Sequence, residues 1–344
     1  MPHPKITDAE RLSKALGALL GVHAGDSLGA TVEFLPWEKL KESHPTGLRE
    51  IVGGGPFNWP VGHATDDTDL TRAILLAYRD RDKCQKEGGE KGDFDVVRAA
   101  ADYSVYWLTG DWPGRIKGRW PVDIGSATFT GLSNYKKSRN LMTCGAGPGN
   151  AGNGSLMRCI PTALFTTDPA QRIAESVAIS AFTHNDVTCT ASCAAYNEIV
   201  AALLSGKSLE DAVEIGIQTA ENLDCPAVSR AISLGLTLSL PKIADQGPGT
   251  ELPERASGWV LESLTIAVAA LMDKRSFEDC LVDVVRIGAD TDTNAAIAGG
   301  LLGARDGIGG IPERWLAKLQ FGKEFEEIAT GMLQGKEMVN TLGG

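Results

Sequence analysis

Two short acidic segments, Thr65-Asp66-Asp67-Thr68-Asp69 and Asp290-Thr291-Asp292-Thr293, stand far apart in the chain, and each opens a long apolar stretch with helical spacing. The first turn of a helix has unpaired N–H groups and a partial positive charge, so one Thr or Asp there is ordinary capping chemistry. Here several carboxylates crowd each start beside threonine hydroxyls, with no basic residue nearer than Arg72 and Arg286. Carboxylates packed so densely repel one another unless a cation sits among them. Neither segment contains Cys or His, and oxygen-only ligands suit Mg²⁺, Mn²⁺ or Ca²⁺ rather than zinc. The alternative, two unrelated solvated caps, stays open at this level.

With 344 residues, 43% of them apolar, the chain has material for a sizeable core. Its net charge of −11 excludes a nucleic-acid groove built on a basic surface. A nucleotide-sized ligand remains compatible with it. The seven cysteines are scattered without a C-x-x-C pair, and Cys189 and Cys193, one helical turn apart among alanines, read as small core residues. A reducing, cytoplasmic compartment is therefore expected. Met1 to Arg11 is polar and the apolar run Leu16–Leu20 is short, which predicts neither signal peptide nor membrane span. A monomer is expected.

Three- and four-residue apolar spacing recurs throughout: Ala9–Leu20, Leu70–Tyr78, Val96–Leu108, Ile173–Phe182, Val187–Leu204, Leu209–Leu223, Ala227–Leu234, Gly258–Leu271, Phe277–Ile287 and Ala295–Leu302. Strand signals are sparse, so the pattern predicts an all-α fold. The Gly- and Pro-rich breaks are too short for interdomain linkers, and one domain over 8–340 is expected.

Other constellations carry alternatives. Gly25-Asp26-Ser27-Leu28-Gly29-Ala30-Thr31-Val32-Glu33 follows the first apolar stretch; its small residues allow tight packing, and Glu33 reads as a general acid or base, a gate, or a plain surface glutamate. The loop Gly147–Ser155 aims backbone N–H groups at one point, a nest suited to phosphate ahead of a helix, or is a flexible surface loop. His184 interrupts a helical pattern and reads as a structural hydrogen-bonding residue or a catalyst. Asp123, flanked by apolar residues, predicts burial with a partner, ligand or shifted pKa, or a helix cap. Trp107, Trp112, Trp120, Trp259 and Trp315 read as packing residues.

These motifs together resemble the ADP-ribosylglycohydrolase family, most of all its dinitrogenase-reductase-activating branch, which acts on ADP-ribosylarginine. The resemblance runs from Gly21 to about Trp315 and is carried by Gly25–Phe34, Ile51-Val52-Gly53-Gly54-Gly55, Thr65-Asp66-Asp67-Thr68, Gly152-Asn153-Gly154-Ser155-Leu156-Met157-Arg158 and Asp290–Gly299. It implies an all-α fold with a binuclear Mg²⁺ or Mn²⁺ cleft held by Thr65, Asp66, Asp67, Asp290, Asp292 and Thr293. It further implies substrate binding by Gly149, Asn150, Ala151, Gly152, Asn153 and His184, and catalytic carboxyls at Asp67, Asp292, Glu33 and Asp123. The expected activity is metal-dependent removal of ADP-ribose from a modified protein, from arginine first, with serine linkages, small conjugates or simple ADP-ribose binding as alternatives. Gly288-Ala289-Asp290 departs from the family's Gly-Gly-Asp by one methyl group and leaves every candidate ligand in place.

Overall fold

Glycine recurs every fourth residue along the first helix, Asp8–Gly29, at positions 17, 21, 25 and 29. That spacing keeps all four on one face, bare of side chains. They lie against the helix Thr291–Asp306, which runs antiparallel and presents Gly303, Gly299, Ala295 and its own first turn in the same rhythm. A Cβ on Gly17, Gly21, Gly25 or Gly29 would fall less than 3.0 Å from the backbone of the opposite helix. The pair therefore packs backbone to backbone.

The computed structural model describes residues 6–90, 92–249, 251–252 and 256–341. Sixteen α-helices and two 3-10 turns account for the regular structure among these residues, and the β-contacts are isolated bridges. The helices Val260–Met272 and Phe277–Arg286 pack on Thr291–Asp306; Asp66–Lys86 packs on Val96–Leu108, and Val187–Leu204 lies between Pro169–Ala181 and Leu209–Asn222. Val187–Leu204 is long and apolar enough to cross a membrane by composition, but it is 78% buried in this core. Cys189 and Cys193 are buried on it, in the core role read from their spacing.

The predicted helices recur with shifted ends. The first runs through Gly25-Asp26-Ser27-Leu28-Gly29 instead of ending before it, because the glycines that loosen an isolated helix are what let this one dock. A turn then carries Thr31–Phe34 back towards the second acidic segment. Phe34 N–H donates to Ala289 O at 2.8 Å and Ala289 N–H to Leu35 O at 2.8 Å. Phe34 (φ +65°) and Ala289 (φ +62°) both adopt the left-handed conformation there. The family's glycine would occupy that conformation without strain, so the Ala289 methyl group costs stability and leaves the ladder intact.

His23 is fully buried in the first helix. Its Nε2 accepts the Phe321 N–H at 3.2 Å, which leaves the proton on Nδ1, 3.1 Å from Ser27 Oγ. Burial lowers its pKa from 6.5 to about 4. A base with a depressed folded pKa contributes stability that is complete above 6.5 and lost as pH falls towards 4. In urea denaturation, the stability gap between wild type and His23→Gln should narrow by roughly 3 kcal/mol from pH 7.5 to 4. A gap independent of pH would refute the buried neutral imidazole.

Candidate active site

Thr65 is the N-cap of the helix Asp66–Lys86, and its hydroxyl accepts the Asp67 N–H. The Asp67 carboxylate faces inward: Oδ2 accepts from Thr65 Oγ1 at 3.2 Å and from Thr293 Oγ1, across the site, at 3.3 Å. The two acidic segments thus meet, so they are not unrelated caps. Asp69 turns away, its oxygens taken by the indole N–H groups of Trp107 and Trp112 at 2.8 Å each. The nearest basic residues are also engaged elsewhere, Arg72 with Glu324 and Arg286 with Asp283.

On the second segment Asp290 caps and Asp292 and Thr293 form the first turn of Thr291–Asp306. Asp290 Oδ2 accepts from Asn153 Nδ2 at 2.7 Å. The docking of the first helix on this one sets Glu33 beside it, and carboxylate oxygens of Glu33, Asp123 and Asp292 lie within 4.8 Å of one another. Glu33 is buried, so the plain surface reading is wrong: the backbone ladder at Ala289 draws it in. Asp123 does not cap the helix Ser126–Ser138, whose N-cap is Gly125 with no side-chain bond.

Asp26, unassigned from sequence, completes the cluster. Fully buried in the first helix, it accepts the backbone N–H of Thr65 at 3.1 Å and of Thr68 at 3.2 Å, as well as the Thr68 hydroxyl. It fixes the start of the Asp66–Lys86 helix from outside. The only sequence signal was a lone acid in an apolar helical run.

Burial raises the pKa of every carboxyl in this group. Asp26 is pushed up to about 7, partly offset by its Thr68 and Thr65 hydrogen bonds. Glu33 rises to about 9 through burial and then Asp123, and Asp123 rises to about 6 through burial and then Asp290. Asp66, Asp67 and Asp292 are held well above the usual range by burial and then by Asp123, Asp26 and Asp67 respectively, and burial also raises Asp290. None of these groups has an ion pair among the described residues. Asp26 Oδ1, Glu33 Oε2, Asp67 Oδ1 and Asp292 Oδ1 are buried with no hydrogen-bond partner. Buried oxygens of that kind are costly unless something fills the gap between them, and the donor set fits hard divalent cations.

A cavity of about 590 Å³ opens from these acids. Its far wall is the Asn150–Gly154 loop, clamped by Asn153 N–H to Gly258 O at 2.9 Å and Val260 N–H to Ala151 O at 3.0 Å. The loop leads into a three-residue 3-10 turn, Leu156–Arg158, so there is no helix dipole behind it. Gly147 and Gly149 give their N–H groups to Asn185 Oδ1 and Asp186 Oδ2, both at 2.7 Å; they shape the loop, while Ala151, Gly152 and Gly154 have no N–H partner among the described residues. The Asn153 amide holds Ser263 and Asp290. Buried Arg158 braces the loop through Gly154 O and donates to Thr183 Oγ1 at 2.6 Å. The Thr183 hydroxyl also lies 2.8 Å from His184 Nδ1 and 3.5 Å from Ser180 O. Burial and then Arg158 lower the His184 pKa to about 3, which favours the neutral ring, and its Nε2 lies beside Gly152 and Gly154.

A second feature of this wall escaped sequence reasoning. The uncapped start of Ser126–Ser138 lines the cavity with Ser126, Ala127 and Thr128, and Thr128 Oγ1 is buried without a partner. Free N–H groups at the start of a thirteen-residue helix attract anions. Gly125-Ser126, glycine where a capping side chain is usual, was the signal available.

Fold and cavity together define the class, an all-α protein with an oxygen-lined acidic pocket. The chain belongs to the ADP-ribosylglycohydrolase family, whose model matches residues 7–341, and it is a glycohydrolase. It is 28% identical to an ADP-ribosylarginine hydrolase Tri1 of Pseudomonas putida (98% of this chain, 82% of the relative) and 30% identical to one of Serratia proteamaculans (91% and 77%). It is 29% identical to the ADP-ribosyl-[dinitrogen reductase] glycohydrolase of Rhodospirillum rubrum (91% and 92%). A solved structure titled as an ADP-ribosylglycohydrolase-related protein complex superposes with a TM-score of 0.75 at 27% identity, over 95% of this chain and 99% of that one.

Proposed function

We propose that the protein hydrolyses the N-glycosidic bond between ADP-ribose and an arginine side chain, with two Mg²⁺ or Mn²⁺ ions held by Thr65, Asp66, Asp67, Asp290, Asp292 and Thr293. The observation that carries this reading is a set of buried carboxylates without counter-ion, opening on the same cavity as a loop and a helix start that offer unpaired N–H groups. The choice of arginine is supported by the names of the similar hydrolases.

The chemistry such ions supply when bound is Lewis-acid polarisation and neutralisation of the surrounding carboxylates. The chain's own groups do the rest. Ala151, Gly152, Gly154 and the first turn at Ser126 offer N–H groups to the diphosphate, while His184 Nε2 lies beside them and Thr128 Oγ1 donates. Asp67 and Asp292 offset positive charge that develops on the ribose as the bond to nitrogen breaks. Glu33 and Asp123, which meet at the junction with Asp292, are the proton donors for the departing guanidine. A water entering from the cavity supplies the oxygen that replaces the guanidine nitrogen on the ribose carbon, and its proton restores the carboxyl that protonated the guanidine.

Purified protein should release ADP-ribose from an ADP-ribosylarginine peptide in Mg²⁺ or Mn²⁺, far faster than from the serine-linked counterpart, and EDTA should stop it. Equal or greater release from the serine peptide would overturn the arginine assignment, and undiminished release after exhaustive chelation would overturn the metals. Thr128→Val should weaken ADP-ribose binding about tenfold by calorimetry, because it removes one hydrogen bond to a charged group while relieving a buried unpartnered hydroxyl. Its thermal stability should be unchanged or higher; unchanged affinity would remove Thr128 from the site.

A further inference from the structure

A second cavity of about 270 Å³ adjoins the first, and Asp66 and Asp123 line both. The two acids form the partition. The Gly/Asn loop and the Ser126 helix start lie only on the larger side, whereas the smaller side is walled by Trp59, Trp107, Ile116, Trp120 and Val122. A conjugate whose ribose reaches the partition from the larger cavity has its departing side chain, and the protein attached to it, on the smaller side.

Polarity changes along this second cavity. Asp66 and Asp123 at the partition are half-buried, whereas Ile116, Trp120 and Val122 are 63%, 62% and 69% exposed. Trp120, expected to pack, keeps one contact with Phe129 at 4.7 Å and otherwise faces outward. The same loop carries Arg115 and Arg119. Arg115 stands over the Trp107 ring at 5.7 Å, and neither arginine has an ion pair among the described residues. Lys117 on that loop is matched by Asp111 at 2.9 Å, and half-buried Arg115 donates to Arg119 O at 3.4 Å and faces the charge of Asp69, which leaves exposed Arg119 as the uncompensated positive charge. In a chain of net charge −11, this basic, aromatic rim beside the acidic partition is a local reversal of sign. An exposed arginine without a partner, flanked by exposed aromatic and aliphatic groups, is the composition of a recognition surface.

We propose that this cavity and its rim receive the stretch of the substrate protein around the modified side chain, and that the stretch they fit is acidic. The proposal rests on the hydrolytic reading above. A cationic side chain entering the cavity meets Asp66 and Asp123 at the bottom, while carboxylates one or two residues away along its backbone meet Arg119 at the rim. Trp59 and Trp120 supply flat faces for the aliphatic stem and guanidinium between the two.

The test uses free ADP-ribosylarginine and two ADP-ribosylarginine peptides of equal length, one with Glu and Asp flanking the modified residue and one with Lys. Wild-type hydrolysis of the free conjugate, which has no flanks, tests the function separately. The acidic peptide should show a KM about three- to tenfold below that of the basic one at low salt, with kcat alike, because rim charges act on encounter and docking. The ratio should collapse in 0.5 M salt. Arg119→Glu, an exposed change on a loop, should invert it, and Trp120→Ala should raise KM for both peptides. Equal KM values in wild type with the free conjugate cleaved, or a preference that Arg119→Glu leaves in place, overturns the proposal; no cleavage of the free conjugate overturns the hydrolytic reading and this proposal with it.

Discussion

Asp292→Asn is expected to reduce hydrolysis by about a thousandfold or more while making the metal-free protein more stable, a combination few active-site substitutions produce. The loss follows from removing a carboxylate that both faces the opposite acidic segment and meets Glu33 and Asp123. The gain follows from the cost of holding that carboxylate, buried and unpartnered at Oδ1, among Asp67, Glu33 and Asp290. An acid whose folded pKa is raised destabilises the fold as pH climbs through its unfolded value towards the folded one, since the folded state holds the extra proton in that window. For Asp26 the window runs from 3.8 to about 7. Metal-free wild type should accordingly lose stability over that range, and Asp292→Asn should flatten the decline. Saturating Mg²⁺ or Mn²⁺ should raise the wild-type Tm, as any ligand of the folded state does, and shift the variant much less. Thermal melts with and without metal, at pH 5 and 7.5, measure all of this. A variant that is less stable without metal, or that keeps its activity, would sink the metal assignment.

Gly25→Ala is expected to destabilise the protein by roughly 2–4 kcal/mol, against the intrinsic preference of a helix for alanine, which favours the change by about 1 kcal/mol. The added Cβ would meet the Ala295 carbonyl and the Ala296 nitrogen, backbone atoms that cannot rotate away. Relief would require the first helix and Thr291–Asp306 to separate along their length, and that separation would pull Asp26 from Thr65 and Thr68 and Glu33 from Asp292. Activity should therefore fall with stability. Gly331→Ala provides the opposite sign: this helical glycine has nothing within 4 Å of its missing Cβ, so the change should stabilise by about 0.5–1 kcal/mol. Urea denaturation of both variants decides the matter, and a stabilised Gly25→Ala protein would refute backbone-to-backbone docking of the two helices.

These two experiments bear on different parts of what the chain makes legible. The acidic helix starts could be read because capping, charge crowding and apolar periodicity are local, and the same holds for most helices from Val96 to Ile287, though not for Ser126–Ser138 or Leu240–Gln246. Local reasoning also recovered the Gly/Asn loop, but not what its atoms do. Gly149 N–H and the Asn153 amide are consumed by Asp186, Ser263 and Asp290, partners that are distant in sequence. Trp120 resembles any packing tryptophan until its exposed position beside Arg119 is known.

By itself the sequence determined the helical class, the two acidic helix starts with their oxygen-only side chains, and the family. Those properties depend on side-chain type and on spacing within single elements. Tertiary structure alone decided that Asp26 anchors the first acidic segment, that Glu33 is buried against the second, and that His184 lies beside Gly152 and Gly154. It also decided that Asp66 and Asp123 divide two cavities of unlike polarity. The physical reason lies in the contact between glycines 17 to 29 and the helix Thr291–Asp306. Close approach of two backbones has no local signature beyond small residues at four-residue spacing, yet it sets the distances between carboxylates on which the chemistry depends.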